Sequence, residues 1–285
     1  MKTAPRLVRL MFMSLAFATC AAHADLPGVA AARLEQAPKP NPAAPMYRQK
    51  GEQYRAYDFP GTGESIPYRL FVPESWTPEQ KLPVLVTLRA GNSINNNHRG
   101  GNELVKVARE RGYIVISPLG YRGLSQPYYG SPYPVDREAG PSVPAEGWTT
   151  QENQRAEQDV LYVINLVAAE YNADTARIFL HGQNPSGSAA FHFAAQYPEL
   201  FRRIVVSAGP IISTSYPFDK LKGRVSVLMM AGDKDAKYTA AACERMAREL
   251  QQHGIQAGFH LVPDGEHLNA YLLHAPQLFD FLDGR

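Results

Sequence analysis

Arg177-Ile178-Phe179-Leu180-His181-Gly182-Gln183-Asn184-Pro185-Ser186-Gly187 is the stretch on which the fold turns. Ile178-Phe179-Leu180 is a continuous apolar run, the pattern of a strand covered on both faces. Gly182 follows it, a residue that permits close approach of neighbouring backbone. Pro185 has no N–H and pushes the residue before it toward β or polyproline geometry. The small and apolar residues from Gly187 to Ala195 then continue as a helix ending near Tyr197. Strand, tight turn and helix thus succeed one another within a short span.

The same grammar extends in both directions. Strands are predicted at 68–72, 84–88, 113–117, 177–180, 204–207, 225–230 and 258–262, with helices at 103–111, 152–171, 185–197, 239–253 and 268–282. The Glu152–Tyr171 segment places Val160, Ile164, Val167 and Ala168 at helical spacing. Alternation of this kind predicts an α/β fold, a doubly wound and mostly parallel sheet with helices on both faces and ligands at the carboxyl ends of the strands. Leu119–Thr150 breaks the rhythm with Gly, Pro, Tyr and Ser. A loop so long inside a compact domain is usually functional or disordered.

Lys2, Arg6 and Arg9 precede the apolar run Leu10–Ala22 and the small-residue site Ala22-His23-Ala24. This is the pattern of an export signal cleaved after Ala24, which predicts a secreted or periplasmic protein. No later run reaches the ~20 apolar residues of a spanning helix, so no membrane span is expected. Cys20 lacks the residues of a lipid-attachment box before it. Residues 25–46, rich in Ala and Pro, read as a linker or disordered arm, with the folded domain at 47–285. Without Lys2, Arg6 and Arg9 the 29 Lys+Arg against 27 Asp+Glu become 26 against 27. Such balance offers no basic stripe for nucleic acid, which is not expected as a partner. Cys243 would be the only cysteine after cleavage, so no intramolecular disulfide can form.

The segment around Gly182–Gly187 resembles the nucleophile elbow of α/β-hydrolases, where G-x-S-x-G lifts a serine above the sheet. Together with Ala194-Ala195-Gln196-Tyr197-Pro198-Glu199-Leu200-Phe201, Ser207-Ala208-Gly209 and Pro118-Leu119-Gly120-Tyr121-Arg122, it is similar to the branch containing polyhydroxybutyrate depolymerases and feruloyl esterases. The resemblance runs from about Tyr68 to the C-terminus. It implies a triad in the order nucleophile, acid, histidine. Gly232-Asp233-Lys234-Asp235 resembles the turn that supplies the acid, with Asp235 the candidate and Asp233 a turn residue. Pro263-Asp264-Gly265-Glu266-His267 resembles the loop that presents the base, His267.

The elbow departs from that family where the chemistry sits. Asn184 occupies the serine position, and a carboxamide cannot be made an alkoxide by any base. Pro185 stands where a backbone N–H would stabilise the oxyanion, and proline has none to give. The geometry it favours in the residue before it also differs from the strained conformation in which an elbow holds its nucleophile. The second oxyanion element, His-Gly-Gly or similar in the family, is here Arg89-Ala90-Gly91. Loss of one oxyanion donor costs ~10²–10³ in rate, and loss of a triad nucleophile ~10⁶ in the best-studied case. Ser186, at a family glycine position, is the alternative nucleophile, although its ordinary role would be local bonding at a helix start.

Three functions therefore compete: a ligand-binding pseudo-esterase, an active carboxylic-ester hydrolase on polyester or feruloyl-type substrates using Ser186 with His267 and Asp235, and a polymer-binding accessory protein. Tyr121, Tyr128, Tyr129 and Trp148 are candidate cleft residues, or else packing for the long loop. The expected ligand is a small or polymer-derived ester or carboxylate, for which Arg89 would offer a bidentate fork. His98 has no second ligand at metal spacing, and no phosphate loop or dinucleotide fingerprint occurs, so neither metal nor cofactor is expected.

Overall fold

The computed structural model describes residues 24–88, 103–121, 128–141 and 149–285. Its strands are β1 (Gly51–Asp58), β2 (Ser65–Val72), β3 (Val84–Leu88), β4 (Ile114–Pro118), β5 (Ile178–Gln183), β6 (Arg203–Ser207), β7 (Ser226–Gly232) and β8 (Gln256–Val262). The helices are α1 (Val29–Ala32), α2 (Glu103–Arg111), α3 (Thr150–Tyr171), α4 (Pro185–Gln196), α5 (Ala240–Gln252), α6 (Ala270–Leu273) and α7 (Ala275–Asp283). The strands form one sheet in the order β1-β2-β4-β3-β5-β6-β7-β8. β3 through β8 run parallel to their neighbours, and β1 and β2 join antiparallel at one edge. This is the doubly wound sheet that the alternation predicts.

The parallel strands β3 to β7 are buried on both sides, which explains their continuous apolar sequences, whereas the edge strand β8 is half-buried. Val84, Val86, Ile178, Leu180, Ile204 and Val206 share one core with residues of α3, α4 and α5. Leu85, Val115, Phe179, Val205 and Leu228 face the other core, with residues of α2, α6 and α7. α3 begins on a reciprocal capping box, Thr149 accepting from the Glu152 N–H while Glu152 accepts from the Thr149 N–H.

The N-terminal segment departs from the expected arm. Leu26, Ala30, Leu34 and Ala37 are buried in the larger core. Asn165 of α3 holds the segment at both ends, its Oδ1 accepting from the Ala24 N–H at 2.9 Å and its Nδ2 donating to the Pro38 carbonyl at 3.2 Å. Ala-Pro composition reads as solvated, but four apolar side chains spaced three or four apart suffice to cover a helix that would otherwise face water. Arg55 and Glu170 form a buried ion pair at 2.8 Å, to which the Arg48 N–H adds a bond on Glu170. Among the described residues no helix is long and apolar enough to cross a membrane.

Candidate active site

The carboxyl ends of β5, β7 and β8 converge, and each delivers one candidate residue. Asn184 follows β5 directly with φ 59° and ψ −130°, a conformation that costs a non-glycine residue about 1–3 kcal/mol. The turn is held by its surroundings. The Asn184 N–H donates to the Ser207 carbonyl at 3.0 Å, and the Asn184 carbonyl accepts from the Gly187 N–H at 2.9 Å. A Cβ on Gly182 would lie 2.2 Å from the Ser186 carbonyl oxygen, and one on Gly209 2.4 Å from that of Asn184. Pro185 opens α4, the position that tolerates it. The strained elbow therefore survives both the asparagine and the proline that follows it.

Asp235 lies in the turn after β7, its carboxylate buried. Its Oδ1 accepts from the N–H groups of Lys237 at 2.8 Å and Tyr238 at 3.0 Å, and its Oδ2 meets His267 Nδ1 at 3.0 Å. Burial alone would push its pKa up, but the bonds from His267 and the two amides outweigh that and hold it below the usual carboxylate range. Asp233, by contrast, is an exposed turn residue. The base loop is clasped to the acid loop through two glycines, since a Cβ on Gly232 would fall 1.9 Å from the Gly265 carbonyl oxygen. Gln183 ties the elbow to the same loop by donating to the His267 carbonyl at 2.7 Å.

An acid and a base are thus paired as a catalytic dyad requires. Among the described residues no hydroxyl or thiol is hydrogen-bonded to the base. His267 Nε2 is buried without a hydrogen-bond partner. The Asn184 side chain is engaged elsewhere, its Oδ1 accepting the Tyr238 hydroxyl. The Tyr238 ring lies nearly parallel to His267, with centroids 5.2 Å apart. Burial raises the Tyr238 pKa, keeping the hydroxyl a donor. Ser186 is wholly buried in the first turn of α4 and makes no hydrogen bond to the imidazole.

Residues 60–254, well over half of the chain, match the family described as "Putative esterase". The chain belongs to that esterase family. Two fungal proteins are similar in sequence: a probable acetylxylan esterase A of Neosartorya fischeri, 24% identical over 154 residues that make up 53% of this chain and 38% of that protein, and the acetylxylan esterase A of Talaromyces purpureogenus, 24% identical over 140 residues, 49% and 32%. The chain spans about a third of the length of these relatives. Among solved structures, an S-formylglutathione hydrolase of Staphylococcus aureus superposes with a TM-score of 0.59 at 16% identity, covering 82% of this chain and 99% of that one. A ferulic acid esterase gives 0.58 at 14%, covering 82% and 98%. These likenesses show the α/β-hydrolase fold.

Within this esterase-family scaffold, the structure brings together Asn184, Pro185, Asp235 and His267 as the chain order implies. Of the candidate cleft tyrosines only Tyr128 lies beside the site, packed in a small cluster with Val135, Ala208 and Tyr238. Tyr121 and Tyr129 are buried in the larger core. The Tyr121 ring packs on Phe59 and its hydroxyl bonds Glu64 and Arg155, while Tyr129 covers Gly120 and donates to the Pro118 carbonyl at 3.1 Å. Both contacts are of the packing kind that sequence left open. Arg89, Ala90, Trp148 and His98 lie outside the described residues. Among the described residues no group of three or more His, Cys, Asp or Glu could hold a metal ion. Tyr238 and Gln183 escaped the sequence reading. The only signal for Tyr238 was its place three residues after the acid.

Proposed function

We propose that this protein binds an ester or the corresponding carboxylic acid at the carboxyl edge of its sheet without turning it over by serine chemistry. The observation that carries the reading is the state of the dyad: Asp235 and His267 are paired, yet His267 Nε2 is unpartnered and the elbow presents a carboxamide already engaged by Tyr238. Pro185 adds to it, because an oxyanion at this apex would lack the N–H of the following residue. The names of the relatives, acetylxylan and ferulic acid esterases, support acyl esters or their acids as the ligand class. The basic n-region, the apolar run Leu10–Ala22 and Ala22-His23-Ala24 support export, with a mature chain beginning at Asp25.

A serine-directed fluorophosphonate probe together with p-nitrophenyl acetate turnover tests the reading. The expected result is no label and no turnover above the uncatalysed rate, while calorimetry with acetate, ferulate and their methyl esters detects saturable binding to at least one. Labelling that disappears in Ser186→Ala would overturn it in favour of an active hydrolase, and absence of binding to every ligand would remove the binding role. Mass spectrometry of exported material checks the terminus at Asp25.

A further inference from the structure

The amino edge of the sheet, opposite the elbow, holds a cavity of about 350 Å³. Arg177 stands directly before β5, Arg203 opens β6, and Arg224 and Ser226 lead into β7. Strand alternation puts Arg177 on the face of Phe179, Arg203 on that of Val205 and Ser226 on that of Leu228. All three of those apolar residues belong to the core beneath α2 and α7. Three neighbouring strands, with Arg203 in register with Ser226, therefore turn polar heads toward one concavity. Phe179, Tyr113 and Leu282 give it apolar lining, and Arg202 completes the rim.

Positive charge here exceeds what the protein itself neutralises. Arg177 pairs with Asp174 at 2.7 Å and Arg224 with Glu199 at 3.2 Å, but these arginine side chains are 51% and 57% exposed. Such pairs are weakly held and can be exchanged. Arg203 donates to the Leu282 carbonyl, and Arg202 makes no ion pair among the described residues. Asp283, the one acid in the lining, is bonded by Tyr113 and paired with Arg111. Four guanidinium groups that cannot lose their protons are thus gathered over an apolar floor.

We propose that this cavity binds a small multivalent oxyanion, a ligand carrying two or more carboxylate or phosphate groups. The planar fork of arginine matches both groups bidentately, and the volume suits a small molecule. The proposal is independent of any residual chemistry at Asn184.

Calorimetry with citrate and with pyrophosphate, each in low salt, tests it and separates the two sources of charge. Sodium chloride at matched ionic strength serves as control. One-to-one saturable binding of citrate or pyrophosphate is expected, weakening as salt rises. Arg202→Ala with Arg224→Ala should lower the affinity roughly tenfold or more, with the circular dichroism of the unliganded protein unchanged. Should the double variant fail to fold, Arg202→Glu, a single change at an exposed position, must show the same loss. Absence of saturable binding by the parent, an equal heat from chloride, or an Arg202→Glu protein that binds as the parent does would each overturn the proposal.

Discussion

Residue 184 separates two properties that a nucleophile elbow normally combines, a strained backbone and a reactive side chain. Asparagine tolerates positive φ better than most residues, so the geometry persists without the alcohol. The asparagine also satisfies the buried Tyr238 hydroxyl, a group that would be costly to leave unbonded. Asn184→Ser would place a hydroxyl on the apex in front of a paired imidazole, but Pro185 would still offer no N–H. The single variant should therefore show at most a trace of p-nitrophenyl acetate hydrolysis. Asn184→Ser with Pro185→Ala and Ser186→Gly should exceed it by roughly 10²-fold, the worth of one oxyanion donor. Initial rates decide this, and equal rates from the two proteins would contradict the role given to Pro185.

Among the elements, those with a strong period were legible. α3, α4 and α5 fall within two residues of their predicted ends, because burial and capping act on the positions that the pattern marks. The single helix expected over 268–282 is two, α6 and α7, broken where Pro276 removes a donor from the ladder. β1 was missed. It is a polar edge strand whose burial at Gln53 and Tyr57 comes from distant parts of the chain. Asn184, Asp235 and His267 could be found because their segments resemble the family's and follow its chain order, whereas the packing of Tyr238 on His267 depends on how two loops meet. The elbow itself rests on Gly182. Gly182→Ala should force the β5–α4 crossing apart and destabilise the protein by ~2–4 kcal/mol, as overpacking against backbone does. Denaturant titration measures it, and an unchanged midpoint would refute the contact.

At the scale of the whole molecule, groups with depressed pKa values set the response to acid, among them His181, His260, Glu157 and Asp235. Burial lowers His181 to about 3, whereas an unfolded histidine titrates near 6.5. Unfolding therefore takes up a proton between those values, so stability is complete above about 6.5 and declines by up to ~1.4 kcal/mol per pH unit as pH falls. Asp235 adds its loss lower still, through its depressed carboxylate range. Thermal melts from pH 7 to 4 should show Tm falling steadily, and His181→Gln should flatten the upper part of that fall; identical profiles would exclude His181. The strand order has a consequence for time rather than for equilibrium. β3 sits between β4 and β5, and the partner of Val84 on the β5 side is Ile178, far along the chain. The middle of the sheet thus cannot close until well over half of the polypeptide is available. A nascent chain must keep the β5-facing edge of β3 unpaired for that interval, which makes folding slow and dependent on protection from aggregation.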